Sequence, residues 1–331
     1  MNDNSNISRK GVSKRKHRGL LITSGIIAML VVAGCTDSAG GEQKQASPGP
    51  NATGGPAQQE KGADDPAAKK AEDVLKQGIE AVKGADSLEF AMVLKQEMVT
   101  DGETTSMSMS NDGSVIVDPL TIKQSTVNEY MGEKSMVDSY LTANGYYMYD
   151  PSTKAWSRVL ATEVPKVKAS LSDFQIAPVK ELEKILPYTA VFSSGSESGS
   201  QVIEYNGTGS DKAADALVRD LLRSTMGIDD LEASVRDSIQ VSSLDYKLIF
   251  EEKTGRLKQL VATSQLTIEY DPGNPSTLKQ SLTIDYSKWN EAAPIIVPEE
   301  AKNAPEVMPL DQELMDALGE EGMEDLENME P

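Results

Sequence analysis

The sequence predicts an α+β domain built on a mostly antiparallel sheet, with one apolar, buried face and one polar, solvent-exposed face. Long segments alternate apolar and polar residues with a period of two, which is typical of strands that bury one face. Within this domain, helical periodicity occurs in an opening segment and in the middle. The order helix, strands, helices, strands favours α+β over an alternating α/β fold.

The domain opens with a helix and continues in strands. Val74, Leu75, Ile79 and Val82 recur at helical spacing, and Gly84 predicts the end of the helix. The period then changes to two, and the strands that follow carry the apolar residues Leu88, Phe90, Met92, Leu94, Met98, Met107, Met109, Leu120 and Ile122.

A hairpin and a helix occupy the next part of the chain. Asn144-Gly145 is a strong hairpin signal, and Met148 lies on the second strand of that hairpin. The apolar spacing over residues 174–186 predicts one short amphipathic helix that Pro178 interrupts and Pro187 ends.

Further turns and helices follow before the chain returns to strands. Residues 193–200 are rich in serine and glycine and predict a loop. The stretch QVIEY predicts a strand, and Asp211 predicts the N-cap of the helix after it. The segment 229–239 favours one more helix.

Three long strands close the domain. Leu248 and Phe250 alternate with charged residues on the first strand, and Gly255 predicts the turn after it. On the last strand Leu282 and Ile284 face the same side.

The first 34 residues have the organisation of an export signal. Basic residues precede an apolar run from Gly19 to Val32, which is shorter than the roughly 20 residues of a permanent membrane span. The run ends in Val32-Ala33-Gly34-Cys35, which resembles the lipobox of bacterial lipoproteins. The resemblance implies diacylglyceryl transfer to the Cys35 sulfur and cleavage before that residue. We therefore expect the chain on the extracytoplasmic face of the cell membrane, anchored by acyl chains; the alternative is an uncleaved anchor with a chance cysteine.

The chain is expected to have four parts. They are a signal peptide (1–34), the lipidated cysteine with a flexible tether (35–70), the α+β domain (71–304) and an acidic tail (305–331). The tail carries ten acidic residues and no basic one, which predicts a solvated segment. Its apolar spacing also permits a short helix that docks on a partner or caps the domain, through Leu310, Leu314, Met315 and Leu318.

Charge and missing residue types exclude most chemistry. Loss of residues 1–34 removes six of the 32 basic and one of the 52 acidic residues, which leaves a net charge near −25 and disfavours nucleic acid as a partner. The only histidine, His17, lies in the leader, and the only cysteine is Cys35. Histidine- and cysteine-based catalytic and zinc sites are therefore excluded, and phosphate-binding loops are absent. We predict no enzyme, no metal and no cofactor; a carboxylate-only site remains as a formal alternative.

The layout resembles a family of uncharacterised lipoproteins of Gram-positive bacteria. The resemblance rests on the lipobox, the tether, the stretch TANGYYMYDPSTKAW and the closing pattern YKLIFEEKTGRLKQL…LTIDYSKWNEAAPIIVPEEA. That family is similar in fold to the LolA/LolB and LppX/LprG lipoprotein carriers. The resemblance implies a strongly curved sheet, a half-barrel, whose concave apolar face is covered by helices. In the carriers that space holds lipid acyl chains.

Two functions fit these expectations. The first is a surface-tethered, non-enzymatic lipoprotein that binds a lipid or other apolar ligand in a pocket between sheet and helices. Its candidate lining residues are Leu88, Phe90, Met92, Leu94, Met107, Met109, Leu120, Ile122, Met148, Leu248, Phe250, Leu282 and Ile284. The second is an envelope interaction or sensor module that docks a protein partner and has no ligand cavity.

Several residues allow two interpretations. Methionine is frequent in and beside the strands, and it suits either an irregular core or an adaptable apolar pocket. Tyr146, Tyr147 and Tyr149 form either a cross-strand ladder or an aromatic rim for a partner. Trp156 and Trp289 lie at strand ends and are expected to anchor the sheet.

Overall fold

The computed structural model describes residues 66–307, in which twelve strands form a single sheet. The strands are β1 (Ser87–Thr100), β2 (Glu103–Ile116), β3 (Thr121–Tyr130), β4 (Glu133–Thr142), β5 (Gly145–Asp150), β6 (Ala155–Val159), β7 (Ser193–Glu197), β8 (Ser200–Thr208), β9 (Gln240–Glu251), β10 (Leu257–Asp271), β11 (Asn274–Ser287) and β12 (Glu306–Val307). Their order in space is β12-β6-β5-β4-β3-β2-β1-β11-β10-β9-β8-β7. Neighbouring strands are antiparallel except β12 and β6, which are parallel. The sheet is open and curved, and the predicted α+β fold class is confirmed.

Helices before and between the strands complete the domain. They are α1 (Pro66–Val82), α2 (Val164–Ala169), α3 (Asp173–Ile176), α4 (Pro178–Ile185), α5 (Lys212–Met226), α6 (Ala233–Ser238) and α7 (Glu299–Lys302). Short 3-10 turns lie at Ala161–Glu163, Leu186–Val191 and Ile228–Asp230. The helix predicted over 174–186 is two helices, because Pro178 has no N–H to continue α3 and instead occupies the first turn of α4.

Two-residue turns set the register of three hairpins. The turns Asp101-Gly102, Met131-Gly132 and Ser198-Gly199 have positive φ at both residues. That geometry matches the twist of the paired strands, and glycine adopts it at low cost. The prediction of a loop over 193–200 is therefore wrong: the Ser198-Gly199 turn joins β7 to β8.

Helix α1 reaches the sheet at a glycine. A Cβ atom on Gly78 would lie 2.3 Å from Cε1 of Phe250, so the aromatic ring occupies the space that a larger residue would need. Phe250 is only 1% exposed, and α1 also contacts α4, β7 and β8. The close approach of α1 to Phe250 of β9 therefore holds this helix against one end of the hydrophobic core.

Asp211 forms the N-cap of helix α5. The Asp211 carboxylate accepts a hydrogen bond from the Ala213 N–H (2.8 Å), as the sequence predicted, and also from the Tyr205 hydroxyl (2.5 Å). Burial and the neighbouring Asp211 raise the Tyr205 pKa, which keeps that hydroxyl a donor. The cap thereby joins the start of α5 to β8.

Candidate functional site

The concave face of the sheet is the candidate site because it is apolar across its centre and lies under helices. Cross-strand register places Leu94 of β1 opposite Leu282 of β11, and Leu282 opposite Ala262 of β10. On its other side Leu94 lies opposite Met109 of β2. Directly paired residues point to the same side of a sheet, so these four residues form one continuous apolar surface.

The structure brings together nearly all the residues that the sequence proposed as a cavity lining. Register and burial place twelve of the thirteen on the concave face, and Leu120 lies one residue before β3. Met107 and Met148 are half-buried. The other ten are 0–8% exposed: Leu88, Phe90, Met92, Leu94, Met109, Ile122, Leu248, Phe250, Leu282 and Ile284. Side chains that faced an open cavity would be accessible to water, so these ten pack against protein in this structure.

Helices of different lengths form the cover over this face. Helix α5 contacts β8 and β9, α6 contacts β10, and α2 contacts β5. A hydrogen bond of 2.8 Å from the Tyr286 hydroxyl on β11 to the Phe174 carbonyl joins α3 to the sheet. That carbonyl has no partner within its own helix, because the residue four positions on is Pro178. Tyr286 therefore supplies the hydrogen bond that the helix lacks.

A hollow of about 10 Å³ lies between α4, α5 and β9, lined by residues that include Phe174, Leu217 and Tyr246. A volume of this size accommodates about one water molecule, not an acyl chain. In this closed form the sheet and cover are in direct contact there.

Charged residues border the same hollow. Glu181 of α4 is 4% exposed, and its carboxylate lies 2.7 Å from Nζ of Lys184. Burial raises the pKa of Glu181; the ion pair with Lys184 opposes the rise, and the charges of Asp173 and Asp220 add to it. Because Asp220 belongs to α5, this group lies along the seam between two covering helices.

Polar side chains interrupt the apolar face in one row, which we call the polar row: Gln96 of β1, Gln280 of β11 and Ser264 of β10. Gln96 and Gln280 are 9% and 1% exposed, and Ser264 is 1% exposed. The Gln96 amide donates to Oε1 of Gln280 (2.7 Å), and Thr225 of α5 lies 3.2 Å from the same oxygen. Nε2 of Gln280 and Oγ of Ser264 have no hydrogen-bond partner.

The concave face becomes more polar towards β4. Beyond β1 it presents Asn111 on β2, which pairs with Thr126 on β3, and Gln124, which pairs with Ser139 on β4. Asn111 Nδ2 lies 3.3 Å from Oε1 of Gln124. This half of the face is less covered, and Asn128 near the end of β3 is exposed.

The convex face carries a second hollow, of about 350 Å³. Residues 288–305, which we call the strap, leave β11 and continue to β12. The hollow lies between the strap and the outward side chains of Glu89, Lys123 and Tyr140. Ile296 of the strap is 78% exposed.

Aromatic residues of β4–β6 extend the convex surface. The rings of Tyr149 and Trp156 are 5.0 Å apart, and those of Tyr140 and Trp156 are 5.9 Å apart. Tyr146 instead points to the concave face and is buried. Trp289 is buried, and its indole N–H donates to the Leu257 carbonyl at 3.0 Å, so it anchors the end of β11 to β10.

Among the described side chains, no three His, Cys, Asp or Glu residues come together in a way that could hold a metal ion. None of the helices between residues 66 and 307 has the length and apolarity of a membrane span. Cys35, the leader, most of the tether and the tail beyond Val307 lie outside the described residues.

A family model described as a family of unknown function, DUF6612, matches residues 70–306, which is most of the chain. The chain belongs to the DUF6612 family. No curated protein sequence matches this DUF6612 chain.

Several solved structures resemble this DUF6612 chain in fold. The lipoprotein LppX of Mycobacterium tuberculosis is 16% identical, with 69% of this chain and 99% of that chain covered and a TM-score of 0.36. LprF of Mycobacterium bovis is 11% identical, with coverages of 70% and 98% and a TM-score of 0.36. An outer-membrane lipoprotein-sorting protein domain of Vibrio parahaemolyticus is 9% identical, with coverages of 71% and 98% and a TM-score of 0.21. At such low identities the likeness concerns the fold alone.

Sequence reasoning missed the polar row, although the signal is present. Gln96 lies two residues from Leu94 and from Met98, so its side chain is on the same face of the strand as these apolar residues. Gln280 has the same relation to Leu278 and Leu282. Ser264 likewise lies on the same face of its strand as Ala262 and Leu266. A polar residue at an inward-facing position on each of three neighbouring strands indicates a buried polar cluster.

Proposed function

We propose that this DUF6612 protein is a non-enzymatic lipoprotein that binds a lipid or other apolar ligand between its sheet and its helical cover. The observation that carries the proposal is the concave face, apolar except for the polar row, which five central strands supply and separate helices cover. The ligand would take the place of the cover, since the hollow between α4, α5 and β9 is too small for an acyl chain.

The helical cover is suited to such a movement. Helices α2, α3, α4 and α6 have six, four, eight and six residues. Isolated helices shorter than about 12–15 residues are marginal in water, so these helices depend on contact with the sheet. A layer of this kind opens at lower free energy than the sheet that supports it.

The proposed location follows from Cys35 and the tether. Acyl chains on the Cys35 sulfur would hold the protein at the extracytoplasmic face of the cell membrane. A flexible tether of this length reaches about 30 Å, which lets the domain meet the membrane surface. Membrane lipid is therefore the most accessible ligand source.

Photo-crosslinking in cells tests the proposal. Cells fed a fatty acid that bears a diazirine are irradiated, and cross-linked peptides of the full-length chain are identified by mass spectrometry. We expect cross-links on concave-face residues of β1, β9 and β11. Cross-links confined to the peptide that carries Cys35 would contradict lipid binding in the domain.

One observation favours protein docking as a second candidate function. The convex face exposes Ile296 beside a hollow and an aromatic group that includes Tyr140 and Trp156. Exposed apolar residues next to aromatic ones are typical of interfaces. Site-specific cross-linking from position 296 in cells would show one stoichiometric partner if this function holds, and lipid cross-links on the concave face would then be absent.

A further inference from the structure

The polar row is not satisfied within the protein. Buried polar groups in native proteins are nearly always hydrogen-bonded, because an unpaired group has lost its contacts with water. Gln280 Nε2 and Ser264 Oγ lie on paired residues of β11 and β10, so two unpaired groups are neighbours on one face. Rotating the Gln280 amide by 180° exchanges its oxygen and nitrogen but leaves the same position unpaired.

The sheet residues on either side of the polar row are uncharged. The ladder row on one side contains Leu94, Leu282 and Ala262, and the row on the other side contains Met98, Leu278 and Leu266. Because none of these can compensate a charge, a carboxylate or phosphate here would lose its hydration without gaining an ion pair. An uncharged group that accepts and donates hydrogen bonds fits instead.

The polar row also leads to the less covered half of the face. Gln96 lies opposite Met107 of β2, and Met107 lies opposite Tyr130 of β3. Met107 and Tyr130 are both half-buried, whereas Gln280 and Ser264 are enclosed. A ligand that enters over β2 and β3 would therefore reach the unpaired groups along a single row.

We propose that the polar row binds the uncharged polar group of a lipid, an ester or hydroxyl, while the acyl chains lie on the apolar rows beside it. This inference rests on the proposed lipid-binding function and adds the chemical class of the ligand. Gln280 and Ser264 gain the hydrogen bonds that they lack in the closed form, and neutral lipids are preferred over ionised fatty acids.

A variant that makes the row apolar tests the selectivity. Gln96→Leu, Gln280→Leu and Ser264→Ala together replace both partners of the amide pair, a change that is often neutral or stabilising. Thr225 keeps its hydrogen bond to the Leu221 carbonyl at 2.9 Å. The matched control is Gln265→Leu with Ser281→Ala, which changes the convex side of β10 and β11, two of the three strands in the row.

Binding is measured on the full-length protein by displacement of the fluorescent dye N-phenyl-1-naphthylamine. The probes are monoolein, oleate at alkaline pH, and squalane, which has no polar group. We expect the wild-type protein to prefer monoolein over oleate, and the row variant to lose about tenfold in monoolein affinity with squalane unchanged. The control should match the wild-type protein.

Two results would overturn the inference while leaving lipid binding intact. One is unchanged monoolein affinity in the row variant, which would assign the unpaired groups to a buried water; the other is a wild-type preference for oleate. If the wild-type protein binds none of the probes, the proposed function itself fails. Should the triple variant not fold, Ser264→Ala alone is expected to lower monoolein affinity about threefold, and an unchanged affinity overturns the inference.

Discussion

The hydrogen bond between Tyr286 and Phe174 offers the sharpest perturbation of the helical cover. Tyr286→Phe removes one hydroxyl and keeps the ring, which is 5% exposed and lies 5.8 Å from the ring of Trp289. The Phe174 carbonyl then has no donor, because Pro178 cannot supply one. The change therefore isolates a single hydrogen bond between cover and sheet.

The expected magnitude follows from leaving a buried carbonyl unpaired. That loss costs about 1–3 kcal/mol, and we expect the free energy of unfolding to fall by about 2 kcal/mol. If α3 and α4 open together as a local unit, the same energy raises their open population ~30-fold. Burial keeps the pKa of Tyr286 well above its ordinary value, so the effect should not depend on pH near neutrality.

Denaturant unfolding measures the global effect, and hydrogen–deuterium exchange of residues 173–185 measures the local one. The control is Tyr140→Phe, which removes a hydroxyl from the convex face. Faster uptake of N-phenyl-1-naphthylamine by Tyr286→Phe alone would connect opening to binding. A change below about 0.5 kcal/mol with unaltered exchange would refute the assigned role of this hydrogen bond.

Three further predictions concern the packing of the helices. Gly78→Ala should destabilise the protein by about 1 kcal/mol in denaturant unfolding, because the clash with Phe250 outweighs the gain in helix propensity; a stabilised variant would contradict this packing. Burial raises the pKa of Glu181, so the folded protein binds the proton of this carboxyl more tightly than the unfolded chain does. The wild-type protein therefore loses stability as pH rises from about 4 to 7, and the stability of Glu181→Gln relative to it should increase over that range. Urea unfolding at several pH values measures this difference in stability, and a difference that does not change with pH would count against the prediction. Asp211→Ala should cost about 1–2 kcal/mol through loss of the α5 N-cap, with Asp211→Asn less affected; equal losses in the two variants would exclude capping as the cause.

Periodicity predicted the strands well because most of them bury one face. Leu88, Phe90, Met92 and Leu94 occupy every second position of β1, and the structure places all four on the concave face. The Asp211 cap and the break at Pro178 were predictable for a similar reason, since each depends on local chemistry. These features need no knowledge of the rest of the chain.

Features that depend on distant contacts were not predictable in this way. Strand β7 is polar at every position, so no alternation distinguishes it from a loop. The filling of the concave face depends on how α3, α4 and α5 meet Tyr286 and Tyr246, which lie far away in sequence. Whether apolar residues line a cavity or a closed core is decided by those contacts, not by their spacing.

The central claim is that the helical cover moves away from the apolar concave face when a lipid binds. Hydrogen–deuterium exchange of the full-length protein with and without monoolein tests this most directly. We predict changed exchange in residues 164–191 and 212–238, which form the cover, with little change at strap residues 293–297 on the convex face. Changes confined to the strap, with the cover unaltered by saturating monoolein, would contradict it.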